Sequence, residues 1–363
     1  MHDFLFDLLQ HYEAETLYVC QDKASGLKAI VALHDTTLGP AAGGIRVWRY
    51  ARECDAVSDA VRLARAMTYK WAAADANFGG GKCVVMADAA KEKTEALLRS
   101  LGQFLQRLHG LFLAGTDIGT TIFDMEILAQ ECSYIVPRSE VRGGSGDSGP
   151  ATALGVIQGM RACLQACYGS PDLNGRSVAV QGLGSVGQAV VEQLLQAGAI
   201  VTIADIDRER VKHIAATSAV SIVSPEEMTR LPVDIYCPCA LGAVINDRTV
   251  DSFQCRIVCG SANNQLVEEH HGDLLAKRGI LYAPDYIVNA GGALWSIESL
   301  APGGFNRKLA EAAVAHIYET MTAVIDLARK EHLSTARAAD LLAERRIRAA
   351  RTRRPHRPLE WAY

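Results

Sequence analysis

The first region of the chain, to about Arg142, mixes two hydrophobic patterns. Lys28–Leu33 and Cys83–Met86 are short apolar runs that predict strands. Asp55–Met67 and Lys93–Leu108 carry apolar residues at helical spacing, which predicts amphipathic helices. A further short helix is predicted near the N-terminus from the spacing of Phe4, Leu5, Leu8 and Leu9. This region is therefore predicted to be an α/β domain.

The second region alternates strand and helix more regularly. Its predicted strands are Ser177–Gln181, Ile200–Ala204, Ile235–Tyr236 and Arg256–Cys259, with helical patterns between them. Such alternation predicts a doubly wound parallel sheet with helices on both faces.

The chain length and a glycine- and serine-rich segment together predict two domains. A chain of 363 residues has room for two domains of ordinary size. The stretch Gly143–Pro150 is dominated by glycine and serine and is the predicted hinge, followed by a long helix over Ala151–Tyr168. We place the first domain at residues 1–146 and the second at residues 147–332. A C-terminal helix and basic tail follow at residues 333–363.

Composition and charge limit the partners of the protein. The formal net charge is −4, which gives no global attraction to nucleic acid or to an anionic membrane. No apolar run is long enough for a transmembrane helix, and the N-terminus lacks the cationic segment of a signal peptide. None of the ten cysteines forms a C-x-x-C pair. We therefore predict a cytoplasmic protein with reduced thiols, no metal site, and no nucleic-acid or membrane partner.

A cluster of arginines near the C-terminus is the exception to this balance. It allows two interpretations, a nucleic-acid arm or the solvated face of a helix followed by a frayed tail, and we favour the second. The arginines concerned are Arg345, Arg346, Arg348, Arg351, Arg353, Arg354 and Arg357.

A glycine-rich turn follows the first strand of the second region. Its sequence is Gly182-Leu183-Gly184-Ser185-Val186-Gly187, a helix follows it, and the next strand is followed at once by Asp205. In the dinucleotide fingerprint of Rossmann domains, the glycines allow a tight turn and close backbone approach to a pyrophosphate, and the acid accepts hydrogen bonds from a ribose. Asp205 favours NAD over NADP, although Arg208 and Arg210 follow closely. The alternative is a glycine turn that binds nothing.

Two lysines and an aspartate form the candidate chemistry of the first region. Lys82 ends the segment Gly79-Gly80-Gly81-Lys82, which we place just before a strand, and Lys70 ends the preceding helical pattern. Two lysines in one cleft would lower each other's pKa, which would let one act as a general base while the other binds an anion. Asp117 lies among small residues and could relay protons. Taken alone, these residues predict only a site for an anionic substrate.

The chain resembles the Glu/Leu/Phe/Val dehydrogenase family from about Lys28 to Arg351. The matching motifs are Gly39-Pro40-Ala41-Ala42-Gly43-Gly44, Met67-Thr68-Tyr69-Lys70, Gly79-Gly80-Gly81-Lys82, Thr116-Asp117-Ile118-Gly119, Val180-Gln181-Gly182-Leu183-Gly184, Cys237-Pro238-Cys239-Ala240-Leu241-Gly242, Ala262-Asn263-Asn264-Gln265-Leu266 and Pro284-Asp285-Tyr286-Ile287-Val288-Asn289-Ala290-Gly291-Gly292.

The resemblance implies a role for each matched residue. Lys70 binds the substrate carboxylate, Lys82 is the general base that activates water, and Asp117 assists proton transfer. The resemblance also implies further contacts with the substrate, for Gly43, Met67 and either Asn264 or its neighbour Asn263. It implies contacts with the cofactor NAD for Thr152, Cys239, Ala240 and Asn263. It implies oxidative deamination of an amino acid in a homo-oligomer, and two domains that close over a cleft. The C-terminal helix is expected to return to the first domain.

Three small residues bear on the substrate. Glutamate enzymes of the family carry a lysine where this chain has Ala42, so glutamate is disfavoured. Leucine-type relatives carry larger residues at Ala42, Ala293 and Ser296, so a larger side chain such as that of phenylalanine or tryptophan is favoured over leucine or valine. Trp295 either refills this space or packs in a core.

Two alternative functions differ from this interpretation. A hydroxy-acid dehydrogenase would not need both Lys70 and Lys82. A nucleotide-binding regulator without catalysis would have lost Lys82 or Asp117, and both are present.

Overall fold

The computed structural model describes residues 4–136, 139–140, 144–240, 242–301 and 304–353. They form an α/β protein with two compact units. The first unit comprises Met1–Asp147, Ser296–Phe305 and Ala343–Tyr363, and the second comprises Ser148–Trp295 and Asn306–Leu342. Gly143 of the predicted hinge, Leu241, Arg354 and Arg357 lie outside the described residues. In the part of the chain that is described, no helix is both long and apolar enough to span a membrane.

The first unit is built on a mixed sheet of five strands. Strand order is β1-β2-β4-β3-β5, with β1–β2 and β2–β4 antiparallel and β3 parallel to both β4 and β5. The strands are β1 (Thr16–Asp22), β2 (Leu27–Asp35), β3 (Ala41–Trp48), β4 (Gly79–Met86) and β5 (Phe112–Thr116). The helices of this part of the chain are α1 (Phe4–Tyr12), α2 (Glu53–Ala73), α3 (Glu95–Gln106) and α4 (Ile122–Leu128).

The two faces of this sheet are covered by different helices. Apolar residues of α3, such as Leu101 and Leu105, belong to the core on one face. On the other face, Ala60 and Ala64 of α2 pack with Val84 of β4. The small residues of α2 let the helix approach the sheet closely, and both faces of the central strand β4 are therefore buried.

The glycines before Lys82 correct one sequence prediction. Gly79, Gly80 and Gly81 lie inside β4 and not before it. A methyl group at Gly80 would lie 2.2 Å from the backbone nitrogen of Thr68 in α2, and one at Gly81 would lie 2.7 Å from the ring of Phe112. Glycine is therefore required in this strand because a helix and a ring occupy the space of its side chains.

The second unit contains the predicted doubly wound sheet. Six parallel strands have the order β11-β10-β9-β6-β7-β8. They are β6 (Ser177–Gln181), β7 (Ile200–Ala204), β8 (Val220–Ile222), β9 (Ile235–Pro238), β10 (Ile257–Val258) and β11 (Leu281–Tyr282). The helices are α5 (Gly149–Tyr168), α6 (Ser185–Gln196), α7 (Arg208–Thr217), α8 (His270–Lys277), α9 (Asp285–Val288), α10 (Gly291–Ile297), α11 (Arg307–Ala315) and α12 (Ile317–Glu331). The predicted α/β class and the parallel sheet are confirmed.

The last helix, α13 (Thr335–Arg353), ends in the first unit, as predicted. Its Arg346 donates hydrogen bonds to the carbonyl oxygens of Trp71, Ala72 and Ala76 at 2.8–3.1 Å, at the end of α2. It also forms a 2.9 Å ion pair with Asp75. A cation near a helix C-terminus complements the helix dipole.

The interpretation of the basic run as a solvated face is therefore wrong for Arg346. Arg351 is exposed, as that interpretation expects, and its guanidinium also pairs with the buried carboxylate of Asp35. Arg346 departs from the interpretation because it packs on the end of α2, whose carbonyl groups accept the positive charge.

Candidate active site

Lys82 lies on the central strand of the first sheet, where an unpaired charge is costly. Its side chain is only 6% exposed, and β4 is flanked by β2 and β3. Burying a lysine ammonium without a partner would cost several kcal/mol, so the surrounding groups decide its charge.

The partner of Lys82 is Asp117, which follows β5. The Lys82 Nζ lies 3.1 Å from the Asp117 Oδ2, although β3 separates the two strands. The side chain of Lys82 can pass over β3 because that strand has Gly44 at the crossing. A methyl group at Gly44 would lie 2.7 Å from the Asp117 Cβ and 3.2 Å from the Lys82 Nζ. Gly44 thus leaves open the space that the pair occupies.

Arg46 is a third member of this group, and the sequence analysis missed it. Its Nε donates to the same Asp117 Oδ2 at 2.7 Å, and its Nη1 lies 3.0 Å from the Asp59 Oδ2. Asp59 also accepts hydrogen bonds from Tyr50 at 2.6 Å and from Arg62 at 2.8 Å. A signal was present in the sequence, since Arg46 lies two residues after Gly44 in an otherwise apolar strand and therefore faces the same side.

The electrostatics of this group lower the pKa of both Lys82 and Asp117. Burial lowers the pKa of Lys82, and the positive charge of Arg46 lowers it further, while Asp117 opposes both effects. Burial raises the pKa of Asp117, but the charges of Lys82 and Arg46 outweigh it and hold that pKa below its usual value. The lowered pKa of Lys82 agrees with the sequence prediction, but the cation that contributes to it is Arg46. A base and a carboxylate therefore share one buried site.

Lys70 and Met67 lie near the end of α2 and share a face of that helix because they are three residues apart. The Met67 Cγ would lie 3.4 Å from a methyl group at Gly43, so this face is directed to the glycine pair of β3. Ala42 is buried, and the alternation of β3 puts its side chain on the same side as Gly44. Its carbonyl oxygen accepts a hydrogen bond from the Trp71 Nε1 at 2.9 Å.

In the second unit, the glycine turn joins β6 to α6. Gly182 has φ +101°, and a methyl group there would lie 2.5 Å from the Ala240 nitrogen. A methyl group at Gly187 would lie 1.9 Å from the Gly182 oxygen, so helix and turn touch. At Gly184, the N-cap of α6, a methyl group would meet nothing within 4 Å.

The residues around this turn fit a dinucleotide. The open side of Gly184 lies at a helix N-terminus, where a pyrophosphate is favoured, and Ser185 and Val186 form the first turn of that helix. Leu183 is buried, and its N–H donates to the Asp205 Oδ2 at 2.5 Å. The carboxylate of Asp205 is therefore fixed beside the turn and retains lone pairs for hydroxyl groups.

Comparison with known proteins identifies the family. The family model for the dimerisation domain of Glu/Leu/Phe/Val dehydrogenases matches residues 15–136. The model for the Glutamate/Leucine/Phenylalanine/Valine dehydrogenase family matches residues 143–209 and 202–354. The chain belongs to the Glu/Leu/Phe/Val dehydrogenase family. It is an amino-acid dehydrogenase, an oxidoreductase of a family that generally depends on a nicotinamide dinucleotide.

The names of individual relatives give several different amino acids as substrates. Leucine dehydrogenase of Thermoactinomyces intermedius is 44% identical over 350 residues, which cover 96% of this chain and 95% of the relative. Phenylalanine dehydrogenase of Caldalkalibacillus thermarum is 44% identical over 340 residues, which cover 92% and 91%. The crystal structure of L-tryptophan dehydrogenase from Nostoc punctiforme has a TM-score of 0.83 at 38% identity and covers 96% of this chain and 100% of its own.

The remaining predicted site residues of this dehydrogenase fall into three places. Cys239 and Ala240 border Gly182 at the dinucleotide turn. The Thr152 Oγ1 would lie 2.3 Å from a methyl group at Gly292, where α5 meets α10. Asn263 accepts a hydrogen bond from Asn289, and Asn264, with φ +53°, follows it.

Helix α10 carries Ala293, Ser296 and Trp295. Ala293 and Ser296 lie three residues apart on α10 and share a face. Trp295 is only 7% exposed, and the guanidinium of Arg307 lies 5.2 Å from its ring centroid. The ring of Trp295 is therefore buried, and it lies in cation–π contact with Arg307, whose own side chain is 62% exposed.

Proposed function

We propose that this dehydrogenase catalyses the reversible, NAD-dependent oxidative deamination of an L-amino acid to a 2-oxo acid and ammonia. The observation that carries the proposal is the buried pair of Lys82 and Asp117, with Arg46 on the same carboxylate oxygen. Burial lowers the pKa of Lys82, which is the direction that favours its use as a general base.

The chemistry assigned to these residues is proton transfer. NAD held at the glycine turn would supply the hydride acceptor, and loss of hydride from the substrate Cα would convert the amine to an iminium ion. Neutral Lys82 then takes a proton from water as the water oxygen attacks the iminium carbon. Asp117 stabilises the ammonium of Lys82 and assists transfer of that proton to the amine of the carbinolamine. The C–N bond then breaks to release ammonia, and the hydroxyl proton returns to Lys82 as the 2-oxo group forms. A low-dielectric surrounding strengthens each of these interactions.

Lys70 is proposed to bind the substrate α-carboxylate. The support is its place on the face of α2 that carries Met67, which approaches Gly43. An ammonium group at that point would hold the carboxylate and so orient the Cα for hydride loss. Asn264 is proposed as a further substrate contact.

NAD is the proposed cofactor in preference to NADP. The support is Asp205, whose carboxylate bonds to the N–H groups of Leu183 and Asp207 at 2.5 and 2.8 Å. A negative charge held beside the turn repels a 2′-phosphate and accepts hydrogen bonds from ribose hydroxyls. The residues proposed to border the cofactor are Gly182, Leu183, Gly184, Ser185, Val186, Gly187, Thr152, Cys239, Ala240 and Asn263.

A bulky apolar or aromatic substrate, such as phenylalanine or tryptophan, is proposed ahead of leucine or valine. The support is the small side chain of Ala42 on the face of β3 that carries Gly44, together with the small residues Ala293 and Ser296 on one face of α10. Branched-chain activity is the second candidate, because leucine dehydrogenases are 44% identical to this chain. A catalytically silent regulator would not need the Lys82 and Asp117 pair.

Initial rates of NADH formation with individual L-amino acids test the proposal. Phenylalanine or tryptophan should give the highest kcat/KM, and Ala42→Leu should shift the preference towards leucine by roughly 10–200-fold. A preference of the parent for leucine or valine above roughly tenfold would overturn the substrate assignment. Absence of NADH formation with every amino acid would overturn the function itself.

The proposal extends to the oligomeric state and the cellular compartment of the protein. The family model over residues 15–136 describes a dimerisation domain, and we expect a homo-oligomer. Light scattering of the purified protein should give a mass that is a multiple of 39.1 kDa, and a monomer would contradict this expectation. The ten cysteines suit the reducing cytoplasm, where we place the protein.

A further inference from the structure

Two histidines and an aspartate of the second unit lie close together, and none of them belongs to the glycine turn of the dinucleotide site. The Asp247 Oδ1 lies 3.1 Å from the His271 Nε2 and 3.8 Å from the His270 Nε2. One ligand atom from each residue lies within 4.8 Å of the other two. The rings of His270 and His271 lie with their centroids 4.1 Å apart and their planes tilted by 32°. Three potential metal ligands therefore face one point.

Glu268 contacts the Nδ1 atom of each imidazole ring. Its Oε2 lies 3.2 Å from the His270 Nδ1, and its carbonyl oxygen lies 3.1 Å from the His271 Nδ1. Histidine ligands of metals commonly donate their second N–H to a carboxylate or to a backbone carbonyl. With Nδ1 protonated on both rings, each Nε2 presents a lone pair towards Asp247. One residue thus supplies both of the outer contacts that a two-histidine site requires.

The backbone fixes the distance between the two halves of the cluster. Ile245 and Leu266 form a parallel bridge, Ile245 N–H donates to Gln265 at 2.9 Å, and Val267 N–H donates to Ile245 at 3.0 Å. Asp247 follows this bridge on one segment, and the histidines open α8 on the other. The ligand spacing is therefore set before any ion binds, which lowers the entropic cost of binding.

We propose that Asp247, His270 and His271 form a binding site for a divalent transition-metal ion of the zinc class. Imidazole nitrogen and carboxylate oxygen suit Zn²⁺, whose ligand bonds are about 2.0–2.2 Å, so modest side-chain movement closes the observed separations. His271 is buried, whereas His270 and Asp247 are exposed, so the remaining coordination position is open to water. The ion clips the segment around Asp247 to the start of α8.

This clip lies close in sequence to residues of the proposed active site. The Ala243 N–H donates to the Asn264 carbonyl oxygen at 2.7 Å, so the clipped segments also carry that residue. Binding of the ion should therefore stabilise the second unit without taking part in the chemistry.

Metal binding to the full-length, chelator-treated protein tests the site. The parent should bind one Zn²⁺ per chain by calorimetry, and Co²⁺ should give a spectrum without the charge-transfer band of a thiolate ligand. Because His270 and Asp247 are exposed, the variants His270→Gln and Asp247→Asn should fold. Each should lower the affinity for Zn²⁺ by roughly tenfold or more, and Glu268→Gln should lower it by roughly 10–100-fold. His316→Gln is the matched control, because His316 is also exposed beside a carboxylate, 3.7 Å from Glu319.

Two results would overturn the proposal. In the first, His270→Gln and Asp247→Asn bind Zn²⁺ as tightly as the parent and His316→Gln do. In the second, the parent does not bind the ion, and the cluster is only a hydrogen-bonded group in which His271 Nε2 donates to Asp247 and the Glu268 N–H donates to Nδ1 at 3.1 Å.

Discussion

The substitution Gly44→Ala tests whether the open space on β3 is what allows Lys82 to reach Asp117. The added methyl group would lie 2.7 Å from both the Asp117 Cβ and the Thr116 oxygen, and 3.2 Å from the Lys82 Nζ. Carbon atoms pack at about 3.5–4.0 Å, so neighbouring groups must move by about 1 Å. Such overpacking costs about 1–3 kcal/mol of unfolding free energy. A displacement of about 1 Å at a reacting group lowers the rate by about 10²-fold.

The assay combines urea denaturation with the kcat of amino-acid oxidation. Gly115→Ala is the matched control, because Gly115 pairs with Gly44 and a methyl group there would lie 3.3 Å from the Val136 oxygen. The control should keep most of its activity, since the two atoms within 4 Å of that methyl group belong to Val136 and Gly43 and not to Lys82 or Asp117. A Gly44→Ala variant with the stability and kcat of the parent would refute the reasoning.

Three further predictions concern charge, cofactor approach and helix capping. Arg46→Met removes a cation that lowers the pKa of Lys82, so the rise of kcat/KM with pH should move to higher pH; an unchanged pH profile would contradict this. Gly184→Ala fills space that is open in the structure. The affinity for NADH, measured by fluorescence, should therefore fall while the unfolding free energy stays the same. An unchanged affinity would exclude close approach of the pyrophosphate to Gly184. Arg346→Met removes charged hydrogen bonds to the end of α2 and should lower the unfolding free energy, measured by urea denaturation, by about 2–4 kcal/mol. The control Arg348→Met, at an exposed position, should lower it little. An equal loss in the two variants would contradict the capping role of Arg346.

The sequence predicted best those features that depend on neighbouring residues. The glycine turn, the helix α6 after it and Asp205 form one continuous segment, so their spacing alone indicates a dinucleotide site. Predicted strands such as Ser177–Gln181 and Ile200–Ala204 agree with β6 and β7 for the same reason. The resemblance to the family, carried by contiguous motifs, is confirmed by the family models.

Features that depend on distant residues were missed. Arg46 meets Asp117 across 71 positions, and only the strand order of the first sheet brings them together. The glycines of β4 were placed outside the strand because their neighbours, Thr68 and Phe112, come from other elements. Contacts of this kind require tertiary structure.

The central claim is that Lys82 is the base for oxidative deamination. The most direct measurement is the kcat/KM of Lys82→Met for the preferred amino acid, with NADH affinity determined on the same preparation. Loss of a positioned general base should lower kcat/KM by about 10²–10⁴-fold, while NADH affinity stays unchanged because the dinucleotide residues belong to the second unit. A Lys82→Met variant that oxidises the amino acid as fast as the parent would contradict the claim.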